Sequence, residues 1–308
     1  MGTLRICVTG AAGLLGRATV KEARRQGHSV VAMLRHGAQA PAEWAGDTSI
    51  TIVETSLSVR SPELQSCICE ADALIHLAAR MTGNDAQMQA ATIDPTRFIL
   101  NFEPVNLLLA SSLCVYDAGT LPAYSTLDES CTTERQPARR DAYCRAKLDQ
   151  ETLIRMNRNN AWILRVGALY DDKSFWNAHL GQRIGHLLVG PLAGDVPLCH
   201  LTTAAGALVQ AATRCPKGIE VINVVDSTLP SRATLVMALK SRGDIHYHVP
   251  ISWRLPHTLA GLIGDRGPGL LRRPVIASRL KPLKYSNKAM LSRLGPLPEF
   301  GWQPGRSK

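Results

Sequence analysis

No stretch of the chain stays apolar for the roughly 20 residues that a bilayer-spanning helix needs, so an embedded protein is not expected. The opening residues carry no signal-peptide pattern, because the apolar Ile6-Cys7-Val8 is short and a glycine-rich turn follows at once. Cysteine spacings that hold zinc are missing: none of the eight cysteines forms a CxxC pair, and Cys67 with Cys69 has no matching Cys/His pair downstream. No metal is therefore expected. Cys7 and Cys114 fall in apolar, strand-like runs and read as buried, reduced thiols. Long runs of one charge are missing as well. The net charge is +10, from 35 basic and 25 acidic residues, but arginines come in doublets at 24–25, 139–140 and 272–273 with no run of five. A basic solvated surface is the first reading of that charge, a field that favours an anionic small substrate the second, and a nucleic-acid groove the third. Repeats and low-complexity segments are absent. These exclusions leave a soluble, cytoplasmic protein with no nucleic-acid and no membrane partner.

What the chain does contain is alternation. Short runs rich in Val, Ile and Leu occur at 5–9, 29–34, 50–54, 73–78, 105–111, 161–166 and 220–225, with helix-like segments between them. One such segment, Gly16 to Gln26, stops at Gly27 as a C-cap. Parallel strands need helical crossovers, so the alternation predicts an α/β fold with a doubly wound, Rossmann-type parallel sheet. After about residue 170 Pro and Gly become frequent and strand signals sparse. Residues 1–170 are expected to form the dinucleotide-binding domain, completed by about 200–240. Residues 171–199 and 241–308 are expected to form a smaller, interleaved substrate domain. Trp176, Trp253 and Trp302 fall in it, and its apolar stripe Trp253–Gly264 is expected to pack inward as core.

Directly behind the first apolar run stands Thr9-Gly-Ala-Ala-Gly-Leu-Leu-Gly16. Three glycines spaced by three could be a packing corner. They could also cradle a pyrophosphate at a helix N-terminus: Gly10 for the tight turn, Gly13 for close backbone approach, Gly16 for helix–strand packing. After the second run no acid appears before Glu43, and Arg35 stands where a ribose-binding acid is usual. A guanidinium there suits a 2′-phosphate, which favours NADP over NAD; the alternative is an arginine facing solvent. Tyr143 and Lys147 lie four apart on one face of a helix expected over about 141–158. An ammonium close to a phenol lowers its pKa and makes it a usable acid/base. Ser111 and Ser112 end the fifth apolar run, placed to bond a substrate oxygen.

These motifs, with ADALIHLAA (71–79), LLASSLCVY (108–116), LRVGALYD (164–171), CHLTTAAGALVQAA (199–212) and YSNKAM…FGWQP (285–304), resemble the extended short-chain dehydrogenase/reductase family, in its epimerase/dehydratase group. The resemblance implies Ser112 as the substrate-orienting hydroxyl and Tyr143 as the acid/base. Lys147 would hold the nicotinamide ribose and lower the phenol's pKa. It implies cofactor contacts from Gly10, Gly13, Leu14, Leu15, Gly16, Arg35, Ser56, Leu57, Leu77, Ala78, Ala79 and Val166, besides Tyr143 and Lys147, and a homodimer. The chain departs from the family pattern at Ser56, Thr92, Asp117, Asp171 and Thr203, where acids, an asparagine or glycines are usual. The tail from Arg272 resembles that of nucleotide-sugar 4-epimerases and 4-ketoreductases, with Arg183, Arg254 and Arg279 as candidates for diphosphate contacts. The expected activity is hydride transfer at a sugar carbon, C4 of a nucleotide sugar, with NADP as first choice of cofactor and NAD as second. Reduction of a lipophilic ketone and a non-catalytic NADP sensor are the alternatives.

Overall fold

Apolar runs buried along their whole length must be covered on both faces, which is the condition of a parallel sheet lined by helices. The computed structural model describes residues 2–264, 271–297 and 302. It joins seven apolar runs into one sheet: β1 (Arg5–Thr9), β2 (Ser29–Leu34), β3 (Ile50–Glu54), β4 (Ala73–His76), β5 (Leu107–Ser112), β6 (Ala161–Val166) and β7 (Ile219–Val224), the five inner strands buried nearly throughout and the edge strands β3 and β7 only in part. They are parallel and ordered β7-β6-β5-β4-β1-β2-β3. The expected α/β class and doubly wound sheet are what is found, with strand ends moved by a few residues at β4 and β5. The order reverses between β1 and β4, where a crevice opens beyond the carboxyl ends of the strands.

Alternation along each strand feeds two cores, one per face. Ile6 and Val8 of β1 join Val20, Val30 and Leu208 on one face. Cys7 joins Val31, Leu64, Leu107 and Ile163 on the other. Helix Leu14–Arg25 covers the first face, and the glycine turn at its start lies at the crevice.

The later half builds a three-stranded sheet from Tyr247–Pro250, Leu187–Gly190 and Gln182–Ile184. Its core contains Phe175, Leu180, Leu188, Leu235 and Leu239, with Trp176 and Trp302 packed against it. Trp253 stands apart, against Lys281 and His257, so the three tryptophans do not share one cluster. The stripe Trp253–Gly264 corrects another expectation. Helix Arg254–Ile263 buries only Ala260, while Leu255, Leu259, Leu262 and Ile263 are exposed. The flank that meets the rest of the chain is occupied by the Arg273 guanidinium, which lies against Gly261 and donates to the His257 carbonyl, so the leucines face away. Of the closing motif FGWQP, residues other than Trp302 lie outside the described residues, as do 265–270.

Candidate active site

Each glycine of the first turn answers a different steric demand. Gly10 has φ +67°, and a Cβ there would sit 3.0 Å from the Ala78 nitrogen. The Gly13 N–H donates to the Gly10 carbonyl at 3.0 Å, closing the turn. A Cβ at Gly16 would come within 2.3 Å of the Gly10 oxygen and 2.6 Å of the Ala11 oxygen. The helix that follows has no side-chain cap and no acid in its first turn. Its leading N–H groups and the positive end of its dipole are left for an anion. Gly16→Ala is expected to destabilise the chain by about 1–3 kcal/mol and to weaken dinucleotide binding with it; urea unfolding and NADH fluorescence titration measure both.

A cavity of about 1110 Å³ takes in this turn and the end of β5 together. Gly10, Gly13, Leu14, Leu15 and Gly16 line it, as do Leu77, Ala79 and Val166. So do Ser112, Tyr143 and Lys147, which the fold brings to the same space from β5 and from helix Ala142–Asn157. Four expected cofactor contacts are not in its wall. Arg35 and Ser56 are exposed past the ends of β2 and β3, and the Ser56 hydroxyl bonds to Ser58. Leu57 is buried in the core at φ +51°, so its backbone alone is available to a ligand. The Ala78 N–H is taken by the Thr9 hydroxyl.

Helix Ala142–Asn157 starts where Asp141 caps the Cys144 N–H at 3.0 Å, which fixes Tyr143 in its first turn. The Lys147 ammonium lies 5.9 Å from the Tyr143 ring centroid, over the ring. Lys147 is buried, and donates to the Ala110 carbonyl at 2.8 Å and to Gln150 Oε1 at 2.9 Å. Burial draws its pKa down to about 8, with the Cys114 and Glu151 side chains opposing. Tyr143 runs against expectation. Burial pushes its phenol up, Cys114 adds to the rise, and the Ser112 hydrogen bond opposes it. Spacing alone counted the ammonium and left out desolvation, which is the larger effect here.

Ser112 accepts the Cys114 N–H at 3.3 Å and is half-buried. Ser111 is not free for substrate: its hydroxyl donates to Glu151 at 2.6 Å, within a buried pair that Glu151 forms with Arg165. Cys7 is buried as expected, but Cys114 is only partly buried and lines the cavity. The turn after β5 lifts it off the sheet, which an apolar pattern does not reveal.

Sequence reasoning missed most of the basic residues in the lining. Arg140, Arg145, Arg272 and His179 line the cavity, with Arg279, the one diphosphate candidate that does. Arg183 lies over Trp176 instead, and Arg254 is absent from the wall. Arg140 is buried and donates to the Cys114 and Tyr116 carbonyls. Arg145 pairs with Asp85. Burial, reinforced by Arg232 and Arg279, draws His179 down to about 3, so it is neutral. The arginine doublets at 139–140 and 272–273 were the available signal, but doublets on a basic chain point nowhere until the fold converges them. Among the described residues no group of three or more His, Cys, Asp or Glu is placed to hold a metal, and no helix is long and apolar enough to cross a membrane.

A family model described as "NAD dependent epimerase/dehydratase family" matches residues 6–170, more than half of the 308. No curated protein sequence matches the chain. Among solved structures, a short-chain dehydrogenase/reductase superfamily protein from Agrobacterium tumefaciens with bound NAD is 20% identical, with TM-score 0.68, covering 98% of this chain and 94% of that one. MoeE5 in complex with UDP-glucuronic acid and NAD is 18% identical, with TM-score 0.70 and coverage of 99% and 96%. The UDP-N-acetylglucosamine 4-epimerase from Bacillus cereus is 15% identical, with TM-score 0.64 and coverage of 97% and 95%. At these identities the likeness carries the fold.

Proposed function

The chain belongs to the NAD dependent epimerase/dehydratase family, enzymes of the extended short-chain dehydrogenase/reductase type, and from that premise we propose that it transfers hydride at a sugar carbon, C4 of a nucleotide sugar. One observation carries the reading: a single cavity takes in the glycine turn, the Ser112–Tyr143–Lys147 set and a wall bearing Arg140, Arg272 and Arg279. Arg272 and Arg279 on that wall suit a diphosphate-linked substrate, with Arg140 held behind them by Glu134 and two backbone carbonyls. Several similar structures are proteins of nucleotide-sugar chemistry, which supports the same substrate class.

The turn fits a dinucleotide, since its glycines let the backbone pack where a Cβ would clash with Ala78, Gly10 or Ala11, and so bring the uncapped N-terminus of helix Leu14–Arg25 to the cavity. Gly10, Gly13 and Gly16 would hold the pyrophosphate, and Lys147 the ribose. A nicotinamide dinucleotide, when bound, supplies or accepts the hydride. Tyr143 gives or takes the proton at the sugar oxygen, and Ser112 donates a hydrogen bond to that oxygen. Burial holds the phenol protonated at neutral pH, which is the form that reduction of a keto sugar calls for.

NADP is the first choice of cofactor, because Arg35 is exposed beyond β2 and Glu43, the next acid, pairs with Arg17 at 2.6 Å. NAD is the second, because the Glu54 carboxylate reaches the same loop, 3.5 Å from the Gly37 nitrogen. Titration of the purified protein with NADP(H) and NAD(H), after release of any carried-over cofactor, decides between them. Tighter binding of NADPH is expected, reduced about 10–100-fold by Arg35→Ser. Preference for NAD that survives this change assigns the ribose to Glu54 and points to an epimerase that recycles its hydride. The lipophilic-ketone reading loses its support, since the stripe Trp253–Gly264 does not line the cavity. Dinucleotide binding with no turnover on any keto sugar nucleotide would favour the sensor. Sedimentation tests the homodimer that the resemblance implies.

A further inference from the structure

Behind Lys147 runs a line of fully buried polar side chains that the proposed chemistry does not use: Gln150, Thr96, His76 and Thr9. Each comes from a different element, and the directions of their hydrogen bonds can be worked out from one end. The Thr9 hydroxyl oxygen accepts the Leu77 and Ala78 N–H groups, both at 3.1 Å. Its own hydrogen is then left for His76 Nδ1 at 2.8 Å. Burial, with the Lys147 charge adding, draws His76 down to about 3, so the ring is neutral and its remaining hydrogen is on Nε2. Nε2 donates to Thr96 Oγ1 at 3.0 Å. The Thr96 hydroxyl in turn donates to the Thr92 carbonyl at 2.7 Å. Thr96 Oγ1 can therefore only accept from Gln150, at 2.7 Å, and the atom that meets it must be the amide nitrogen. The amide oxygen is thereby turned towards Lys147 Nζ, 2.9 Å away. Flipping the amide would set its NH2 donor against the ammonium and its oxygen against Thr96 Oγ1, whose own hydrogen is already committed to the Thr92 carbonyl.

We propose that Gln150 is a positioning residue for Lys147, its amide oxygen locked in place by a one-way hydrogen-bond chain that begins at Thr9 beneath the glycine turn. Two of the three ammonium hydrogens are fixed, on Gln150 and Ala110, and the third is left for what enters the cavity. Gln150 also closes the inner side to proton traffic, because an amide oxygen is too weak a base to take a proton from an ammonium. The other groups that face Lys147 do not replace it. His76 is neutral, Tyr143 offers its ring, Cys114 lies on the cavity side, and the Glu151 carboxylate is engaged by Arg165 and Ser111.

The functional part of this role rests on the reading of Lys147 as the ribose-side cation, so the test reads the lysine directly. The side-chain ¹³C resonance of Lys147 in the full-length protein, assigned by its loss in Lys147→Met, is followed through a pH titration. In Gln150→Leu the midpoint is expected to fall by about 1–2 pH units, since a hydrogen bond to a charged group is lost. In Gln150→Glu an anionic acceptor should raise it above wild type. Thr96→Val, which leaves Lys147 and the Gln150 amide in place and removes only the hydroxyl that the amide nitrogen bonds, should lower it by a smaller amount as the amide loses its orientation. An unchanged midpoint in Gln150→Leu overturns the proposal, as does a fall in Gln150→Glu; an unchanged midpoint in Thr96→Val overturns the locked chain. If Gln150→Leu does not fold, the other two variants decide by the same signs. A merely structural role would lower the melting temperature and leave these midpoints alone. NADH titration of the same samples keeps the two readings apart: a wild type that binds no dinucleotide removes the functional reading, while the lysine midpoints still decide what Gln150 does.

Discussion

Tyr143→Phe is expected to lower turnover by about 10²–10⁴-fold while leaving dinucleotide affinity within a few-fold of wild type. The substitution removes one hydroxyl and keeps the ring that lies beside the Lys147 ammonium. Shape, burial and the lysine's other partners on Ala110 and Gln150 are untouched. What disappears is the phenol proton that, in the proposed chemistry, passes to or from the substrate oxygen. The direction of the Tyr143 shift gives the pH dependence its sign. Burial holds the phenol above its ordinary range, so it remains protonated through neutral pH and the reductive direction should be flat on the acid side. The upper limit comes from Lys147. Its cationic form fades as pH rises through about 8, and reductive turnover should decline from there. Steady-state kcat and KM from pH 5.5 to 9.5, on whichever substrate of a keto sugar nucleotide panel the wild type turns over best, measure both effects. Turnover that survives the loss of the hydroxyl would remove Tyr143 from the chemistry.

The parts of this site that were legible in the sequence are those whose chemistry is packed into one short segment. Gly10, Gly13 and Gly16 are read from their spacing because strand, turn and helix follow each other without interruption, so the local pattern already contains the geometry. Tyr143 and Lys147 are read for the same reason, one helical turn apart. The Gln150–Thr96–His76–Thr9 chain has no such segment. Its members are ordinary polar residues, and only the sheet order and the packing of two helices against it place them in line. Arg272 and Arg279 reach the cavity from a helix more than a hundred residues beyond Tyr143. The phenol's pKa was misjudged because sequence spacing reports neighbouring charge and is blind to lost water. The stripe at 253–264 was misjudged because periodicity tells which residues share a face, not whether anything covers it.

The largest effect on stability is expected at Glu151. Its carboxylate takes two hydrogen bonds from Arg165, at 2.9 and 2.6 Å, and a third from Ser111 at 2.6 Å. Arg165 belongs to β6, Ser111 to β5 and Glu151 to helix Ala142–Asn157, so one carboxylate ties the sheet to the helix that carries Tyr143 and Lys147. Both charges are withdrawn from water: Glu151 is 4% exposed and Arg165 3%. Arg165 also lies 4.5 Å from the Tyr116 ring centroid, and cannot escape by losing its proton, because a guanidinium stays charged at any ordinary pH. Glu151→Gln keeps the size of the side chain and removes its charge, leaving a buried guanidinium without a counter-ion. Unfolding in urea should show a loss of about 3–5 kcal/mol. The loss measures an orphaned charge and not the net value of the pair, a distinction that a second variant draws out. Glu151→Leu combined with Arg165→Met replaces both charges with apolar groups of similar size and should recover most of the lost stability. If the double variant recovers stability but not turnover, the ion pair is retained for where it places Ser112 and the Tyr143 helix. If it recovers both, packing alone suffices to aim them. Failure to recover stability would mean that the hydrogen bonds from Ser111 and Arg165 outweigh the desolvation of the two charges, and that the pair is a net source of stability.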